Sequence, residues 1–216
     1  MGRQRMCDPT LLHDAILTGD HKTAIAVTKE AIAAQIDAME LVSRYMVPAM
    51  DEVGRRFECE EFFVPELLLS ARAMKGALEL LRPLLAAAGA ASAGRVVIGT
   101  VKGDLHDIGK NIVGAMLEGG GFEVIDLGAD VAPETFVDAV RQHRPQLVCL
   151  SALLTVTMPA MKETIEALDR AGVRQSVKVL VGGAPVSAEF ARKIGADGSG
   201  ENAAVAVALA RRVLAP

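Results

Sequence analysis

Near residue 90 the spacing of apolar residues changes character, and no single regular architecture accommodates both halves of the chain. Before that point Met46, Met50, Val53 and Phe57 recur at steps of four and three, as do Leu67, Ala71, Met74, Leu78, Leu81 and Leu85. Each set places an apolar stripe along one face of a long helix suited to a bundle. Leu11 to Leu17 and Thr23 to Ile36 read as two shorter helices, with Gly19-Asp20 as stop and start between them, and Pro65 fits the first turn of the last helix. Ala86 to Gly94 is almost all Ala, Gly and Ser, a linker that lets two domains move. Beyond it, strands are expected near 95–101, 123–127, 146–150 and 177–181, with a short one at Ala196-Asp197. They alternate with helices, which predicts an α/β half with a parallel sheet covered on both faces. A chain of 216 residues, 51% of them apolar, can fill two modest cores, taken as 1–90 and 91–216.

The segment Gly103-Asp104-Leu105-His106-Asp107-Ile108-Gly109-Lys110-Asn111 joins the apolar run Arg95 to Val101 to the apolar-periodic stretch Ile108 to Leu117. It is thus a strand-to-helix loop at the carboxyl end of a parallel strand, where open α/β sheets hold their ligands. Asp104 precedes His106 by two residues, so in a locally extended segment both side chains point the same way. The carboxylate would then orient the imidazole and leave its other nitrogen outward as a metal ligand. A solvated or core-satisfied histidine is the plainer alternative.

Several chemistries are excluded. Five residues separate Gly103 from Gly109, and Asn111 stands where a phosphate-binding P-loop needs Ser or Thr. Cys7, Cys59 and Cys149 form no C-x-x-C pair, and His13, His21 and His143 have no zinc-site spacing. One histidine without companions suggests a metal whose other positions are filled by something besides protein. A net charge of −4 without a basic cluster argues against nucleic acid. No stretch resembles a membrane span, Met1 to Arg5 leads into no signal-peptide core, and three unpaired cysteines fit a reducing cytoplasm, with Cys149 a strand-core residue.

Asp104-x-His106-x-x-Gly109, forty-one residues, Ser151-x-Leu153, twenty-eight residues and Gly182-Gly183 together resemble the signature of cobalamin-binding domains that hold the cofactor with its lower base displaced. Such domains occur in methionine synthase and in the corrinoid proteins of methanol, methylamine, betaine and aryl-ether methyltransferase systems. The resemblance implies a Rossmann-like (flavodoxin-like) doubly wound domain and a cobalamin cofactor, as methylcobalamin or a related corrinoid. A corrin brings four equatorial nitrogens to cobalt, which accounts for a single protein ligand, His106. By the same resemblance Asp104 and Thr157 continue a relay from that histidine, and Gly103, Asp107, Ile108 and Gly109 complete the loop beneath the corrin. Ser151 matches the serine that bonds the displaced base, Leu153 and Thr155 lie near the corrin, and Gly182 and Gly183 leave a slot for the nucleotide tail. Thr157 is equally open to capping the helix that begins near Pro159.

The helical half is similar to the four-helix bundle cap of the same family through Val53-Gly54-Arg55-Arg56-Phe57, Phe63-Val64-Pro65-Glu66-Leu67-Leu68 and Ser70-Ala71-x-x-Met74. Phe57, Val64 and Leu68 would roof the upper corrin face, while Leu67 suits the bundle core. An apolar roof would exclude solvent from a reactive cobalt until a partner docks. Two departures stand out: Cys59-Glu60-Glu61 where the cap usually turns through glycine, and Gly195-Ala196-Asp197-Gly198-Ser199-Gly200-Glu201 where many carriers read Gly-Ala-Asp-x-Tyr. The first concerns the cap turn and the second a wall of the tail slot. The implied mechanism is methyl shuttling by a non-autonomous carrier subunit, between a substrate-specific methyltransferase and an acceptor methyltransferase that uses a folate or thiol, with a reductive activase as third partner. A corrinoid sensor or storage module, or a flavodoxin-like domain for another nucleotide, would share part of the pattern.

Overall fold

A computed structural model describes residues 8–87 and 93–215, so Met1 to Cys7 and the linker segment 88–92 lie outside the described residues. The chain divides into two compact units near residue 91, with Glu118–Gly121 grouped with the first.

The first unit is helical: α1 (Thr10–Leu17), α2 (His21–Ala33), α3 (Ala38–Leu41), α4 (Val47–Glu58) and α5 (Val64–Ala87). Gly19 takes φ +71, and Asp20 caps α2 by accepting the Thr23 N–H at 3.1 Å and its hydroxyl at 2.7 Å. The second helix is shorter than its apolar pattern suggests, because Asp37 caps a new one through the Glu40 N–H. Val42–Met46 is a π-helical turn, with the Val47 N–H reaching the Val42 carbonyl. Pro48 has no N–H and its ring crowds the Arg44 carbonyl, so the helix widens there. Met46, Met50 and Val53 are buried, as are Leu67, Ala71, Met74, Leu78 and Leu81. α5 runs through Pro83 to Ala87, so the first two residues of the expected linker are helical.

The second unit alternates β1 (Arg95–Thr100), α6 (Ile108–Gly119), β2 (Glu123–Asp126), α7 (Pro133–His143), β3 (Leu147–Ser151), α8 (Pro159–Arg170), β4 (Lys178–Gly182), α9 (Ala188–Lys193), β5 (Gly198–Gly200) and α10 (Ala203–Leu214). All pairings are parallel, in the order β2-β1-β3-β4-β5. On one face Val97, Val148, Leu150, Val179 and Val181 join Phe136, Val140, Met161, Ile165 and Leu168 in a single core. The alternate residues Val96, Ile98, Leu147, Cys149 and Leu180 are buried on the other face. Burial pushes the Cys149 thiol up to about 12, so it stays protonated and packs as a small hydrophobe. Among the described residues no helix is long and apolar enough to cross a membrane.

The strands differ from expectation by a residue or two, and the last one by more. β5 is Gly198-Ser199-Gly200 rather than Ala196-Asp197. A Cβ at Gly198 would lie 2.9 Å from Leu209 and one at Gly200 would lie 2.9 Å from Ala206, so α10 packs where side chains would stand. Asp197 instead ends the approach: its carboxylate accepts the Val179 N–H and pairs with Arg174 at 2.8 Å. The ladder also takes in Ser151 and Gly182, so Thr100, Ser151, Gly182 and Gly200 form one row across the carboxyl end of the sheet.

Two positive-φ positions have opposite consequences. Glu60, at φ +59, closes α4 where glycine is usual, and it is exposed, so Glu60→Gly should raise stability by about 0.5 to 1 kcal/mol. Gly183 has φ +134, and a Cβ there would sit 1.8 Å from the Ala152 carbonyl oxygen. Gly183→Ala should therefore cost about 3 kcal/mol or more in urea unfolding, because β3 and its following loop must move.

Candidate functional site

The strand order reverses direction between β1 and β3, so the loops leaving them run to opposite faces and open a crevice at the carboxyl end of the sheet. Residues 101–107 and 152–158 border that crevice. The two loops are joined by one buried side chain, Asp104.

Asp104 is 0% exposed and collects five donors. Oδ1 accepts the His106 N–H at 3.0 Å and faces His106 Nδ1 at 2.8 Å. Oδ2 accepts the Leu153 N–H at 2.8 Å, the Leu154 N–H at 3.3 Å and the Thr157 hydroxyl at 2.6 Å. Burial alone pushes this carboxyl up, but the bonds from Thr157, the His106 N–H, the Leu153 N–H and the His106 ring outweigh it and hold the group well below the usual carboxylate range. An ionised carboxylate only accepts, so Nδ1 carries the proton of a neutral His106 ring and Nε2 keeps its lone pair. The His106 side chain is half exposed, and among the described residues Nε2 has no hydrogen-bond partner.

Thr157 resolves in favour of the carboxylate. The N-cap of α8 is Met158, without any side-chain cap bond, so Thr157 does not cap that helix. Its own N–H already serves the Leu154 carbonyl at 3.0 Å, which leaves the hydroxyl proton for Asp104.

Around the imidazole the surface is apolar and exposed: Leu105 at 75%, Ile108 at 76% and Val156 at 81%, with Leu153 and Leu154 partly so. Gly109 lies among them, and a Cβ added there would meet nothing within 4 Å. The chain's own packing does not require that glycine. Gly103, by contrast, adopts φ +83. Asp107 is half-buried and its carbonyl accepts the Asn111 N–H, while Thr155 is exposed in the turn before α8. Ser151 stands in the small-residue row beside Gly182, whose added Cβ would approach the Gly200 carbonyl to 3.2 Å.

Sequence reasoning missed three groups. The Leu153 and Leu154 amides are main-chain donors with no residue signature. Lys110, almost wholly buried, is held by both oxygens of Asp126 and by Asn111 Oδ1 at 2.7 Å; a lysine directly after Gly109 and a carboxylate ending β2 were the available signals. Asp130 accepts the Gly103 N–H at 2.7 Å. A polar cleft lined by Lys162, Arg174, Lys178 and Asp197 lies at the amino end of β4, the wrong end of the sheet for this constellation.

Residues 94–208 match the B12 binding domain family, and residues 10–82 match a second family of B12 binding domains. Trimethylamine corrinoid protein 1 of Methanosarcina acetivorans is 44% identical over 93% of this chain and 94% of its own length. A cobalamin-binding protein from Desulfitobacterium hafniense DCB-2 has a TM-score of 0.79 at 36% identity, covering 95% of this chain and 98% of that one. A chain of the methanol:cobalamin methyltransferase complex from Methanosarcina barkeri has a TM-score of 0.83 at 31% identity, covering 99% of this chain and 81% of that one. The chain belongs to the corrinoid-protein family of methyltransferase systems.

In this corrinoid protein the expected roof residues differ in how far the helical unit buries them. Leu67 is fully buried and belongs to the bundle core. Phe57 on α4 and Val64 at the start of α5 are half-buried, and Leu68 is 42% exposed. The Cys59-Glu60-Glu61 segment still closes the turn, with the Glu61 and Phe62 N–H groups both on the Arg56 carbonyl.

Because its carboxyl is depressed in the folded protein, Asp104 contributes stability that is present above the carboxylate's unfolded value and is lost as pH falls through the folded one. Asp104→Asn removes that dependence. In urea unfolding of the corrinoid-free protein, the stabilities of wild type and variant should converge as pH is lowered from about 5 towards 2, the wild type falling more steeply.

Proposed function

We propose that this chain is a cytoplasmic corrinoid carrier that binds cobalamin with its lower base displaced and His106 as axial ligand to cobalt. It would exchange a methyl group between a substrate-specific methyltransferase and an acceptor methyltransferase with a folate or thiol, and a reductive activase would restore it after oxidation. The observation that carries this reading is the His106–Asp104 pair: an imidazole fixed through Nδ1, with Nε2 unbonded among the described residues on a half-exposed side chain in an apolar, open surface. A metal-binding histidine needs that second hydrogen bond to set its tautomer and direction.

The residues fit a corrinoid better than a bare ion. Among the described residues no three His, Cys, Asp or Glu side chains come together as a metal site. A single imidazole suits a metal that arrives with its equatorial ligands in place. When bound, the corrinoid supplies a cobalt centre that accepts and releases a methyl group. Leu105, Ile108 and Val156 offer the apolar contact a broad macrocycle needs, and the open space at Gly109 admits its edge. Ser151, at the end of β3 beside Gly182, would hydrogen-bond the displaced base, with Thr155 and Leu153 beside the ring. In the row at the end of the sheet, Ser151, Gly182 and Gly200 carry little or no side chain and would leave room for a nucleotide tail, while Thr100 is buried behind them. Phe57, Val64 and Leu68 retain exposed area with which to cover the upper corrin face.

Asp104 and Thr157 govern the proton on His106. As long as the carboxylate is ionised, it holds the Nδ1–H and leaves the Nε2 lone pair with which His106 would hold the metal; the same carboxylate would steady a cationic ring were the histidine released. Thr157 and the two leucine amides keep Asp104 ionised.

The test is an absorption and EPR titration of the protein with cobalamin, followed by addition of candidate methyltransferases with their donors. Relatives named for trimethylamine make methylated amines the first donors to try. The wild type should give a base-displaced spectrum with axial-nitrogen splitting, and methyl loss or gain only when a methyltransferase and its donor are present. His106→Ala should retain corrinoid and lose the nitrogen splitting; an unchanged spectrum removes His106 from the role. Binding without transfer to any donor or acceptor would favour a storage or sensing module.

A further inference from the structure

We propose that Asp130, on the loop between β2 and α7, is a positioning residue that locks the joint on which the Asp104–His106 pair turns; this rests on the reading of His106 as the cobalt ligand. The joint is Gly103. It is exposed, its φ of +83 is open to glycine, and the nearest atom to an added Cβ is Thr157 Cγ2 at 3.7 Å, so side-chain packing does not fix it. The Asp104 N–H closes the turn on the Val101 carbonyl at 3.1 Å, and the N–H of Gly103 itself is held by Asp130. Asp130 Oδ1 accepts the Gly103 N–H at 2.7 Å, and one residue further on the Asp104 carbonyl accepts the Asp130 N–H at 2.9 Å. One residue thereby grips two consecutive residues, one through its side chain and the other through its main chain.

Asp130 is itself held in an uncommon conformation. Its φ is +54, left-handed, a conformation that is strained for a residue with a Cβ and free for glycine. Aspartate and asparagine tolerate it best, but a glycine would carry no strain. A side chain retained at such a position is explained by what its oxygen does, and here the oxygen is committed to Gly103; among the described residues Asp130 has no ion pair. The flanks are anchored as well. The Val131 N–H donates to the Thr100 carbonyl at 3.0 Å, and the Thr100 N–H to the Gly128 carbonyl at 2.9 Å. Thr100 in turn donates its hydroxyl to the His106 carbonyl at 3.1 Å. The β2–α7 loop therefore reaches the histidine loop before and after Asp104, and Asp130 supplies the grip at the flexible end.

Two substitutions separate the acceptor from the conformation. Asp130→Asn keeps an oxygen acceptor and tolerates positive φ, whereas Asp130→Gly relieves the strain and removes the acceptor. In the corrinoid-free protein, amide exchange at Gly103 should quicken about tenfold or more in D130G, the worth of one charge-assisted hydrogen bond, and stay near wild type in D130N. Core amides of Val97 and Leu150 serve as the control for general loosening. In protein loaded with cob(II)alamin, the EPR nitrogen splitting from the axial imidazole should pass from a single ligated form to a mixed population in D130G, as a tenfold shift in a two-state equilibrium produces, and remain single in D130N. Unchanged splitting in D130G overturns the proposal, as does an equal loss in D130N or equal quickening at the core amides. Absence of nitrogen splitting in the wild type itself would instead remove His106 as ligand and take this proposal with it.

Discussion

A carboxylate with no exposed surface is stable as an anion only if hydrogen bonds replace the water it has lost, and Asp104 is supplied with five. Those donors come from two loops that are about fifty residues apart in sequence and are brought together only because β1 and β3 are neighbours in the sheet. The bond network therefore does three things at once. It ties the two loops together across the crevice, it fixes the tautomer of His106, and it keeps Asp104 ionised. If any donor moved away, the ion would be left partly unsolvated in a buried place. This is a physical reason for the loops to hold one conformation despite their exposed tips.

A second buried charge supports the same loop from behind. Lys110 has its ammonium enclosed and satisfied by Asp126 and Asn111, and Asp126 also accepts the Gly128 N–H at 2.8 Å. Since a buried cation without its partner is far more costly than a surface one, the first turn of α6 is tied to the end of β2. Gly128 then passes its carbonyl to the Thr100 N–H. The histidine loop is thus bounded by two ionic anchors, one at Asp104 facing β3 and one at Lys110 facing β2, each with one member enclosed and its partner side chain partly exposed.

Much of this was legible in the residues. The alternation of apolar runs after residue 90 gives the parallel sheet, and the spacing of Asp104 and His106 gives their contact, because a short extended segment leaves few other places for the carboxylate to go. What the sequence hides has common physical causes. The amides of Leu153 and Leu154 act through the main chain, so no residue type announces them. Gly198-Ser199-Gly200 has little strand propensity and pairs because α10 fills the space above it, a tertiary effect. The π-turn at Val42–Met46 follows from Pro48, but the choice between a widened helix and a broken one depends on the packing of Met46, which is local only in three dimensions. Thr157 fits both a cap and a relay on paper; only its hydroxyl on Asp104, with Met158 at the N-cap of α8, decides it.

The two glycines with the most to say behave in opposite ways, and the contrast bears on the ligand. Gly183 is demanded by the chain itself, since the Ala152 carbonyl occupies the place of a side chain, and it would be needed with or without a nucleotide tail. Gly109 is demanded by nothing in the chain: its φ is ordinary, and an added Cβ would point into open space beside exposed Ile108 and His106. A glycine at a helix start costs backbone entropy relative to alanine, so its presence there has no internal compensation. The same is true of Leu105, Ile108 and Val156, which gain nothing from water. An unpacked glycine beside exposed apolar side chains and a pre-oriented imidazole is the kind of face that the proposed corrinoid, a broad ring carrying a metal, would need from the protein.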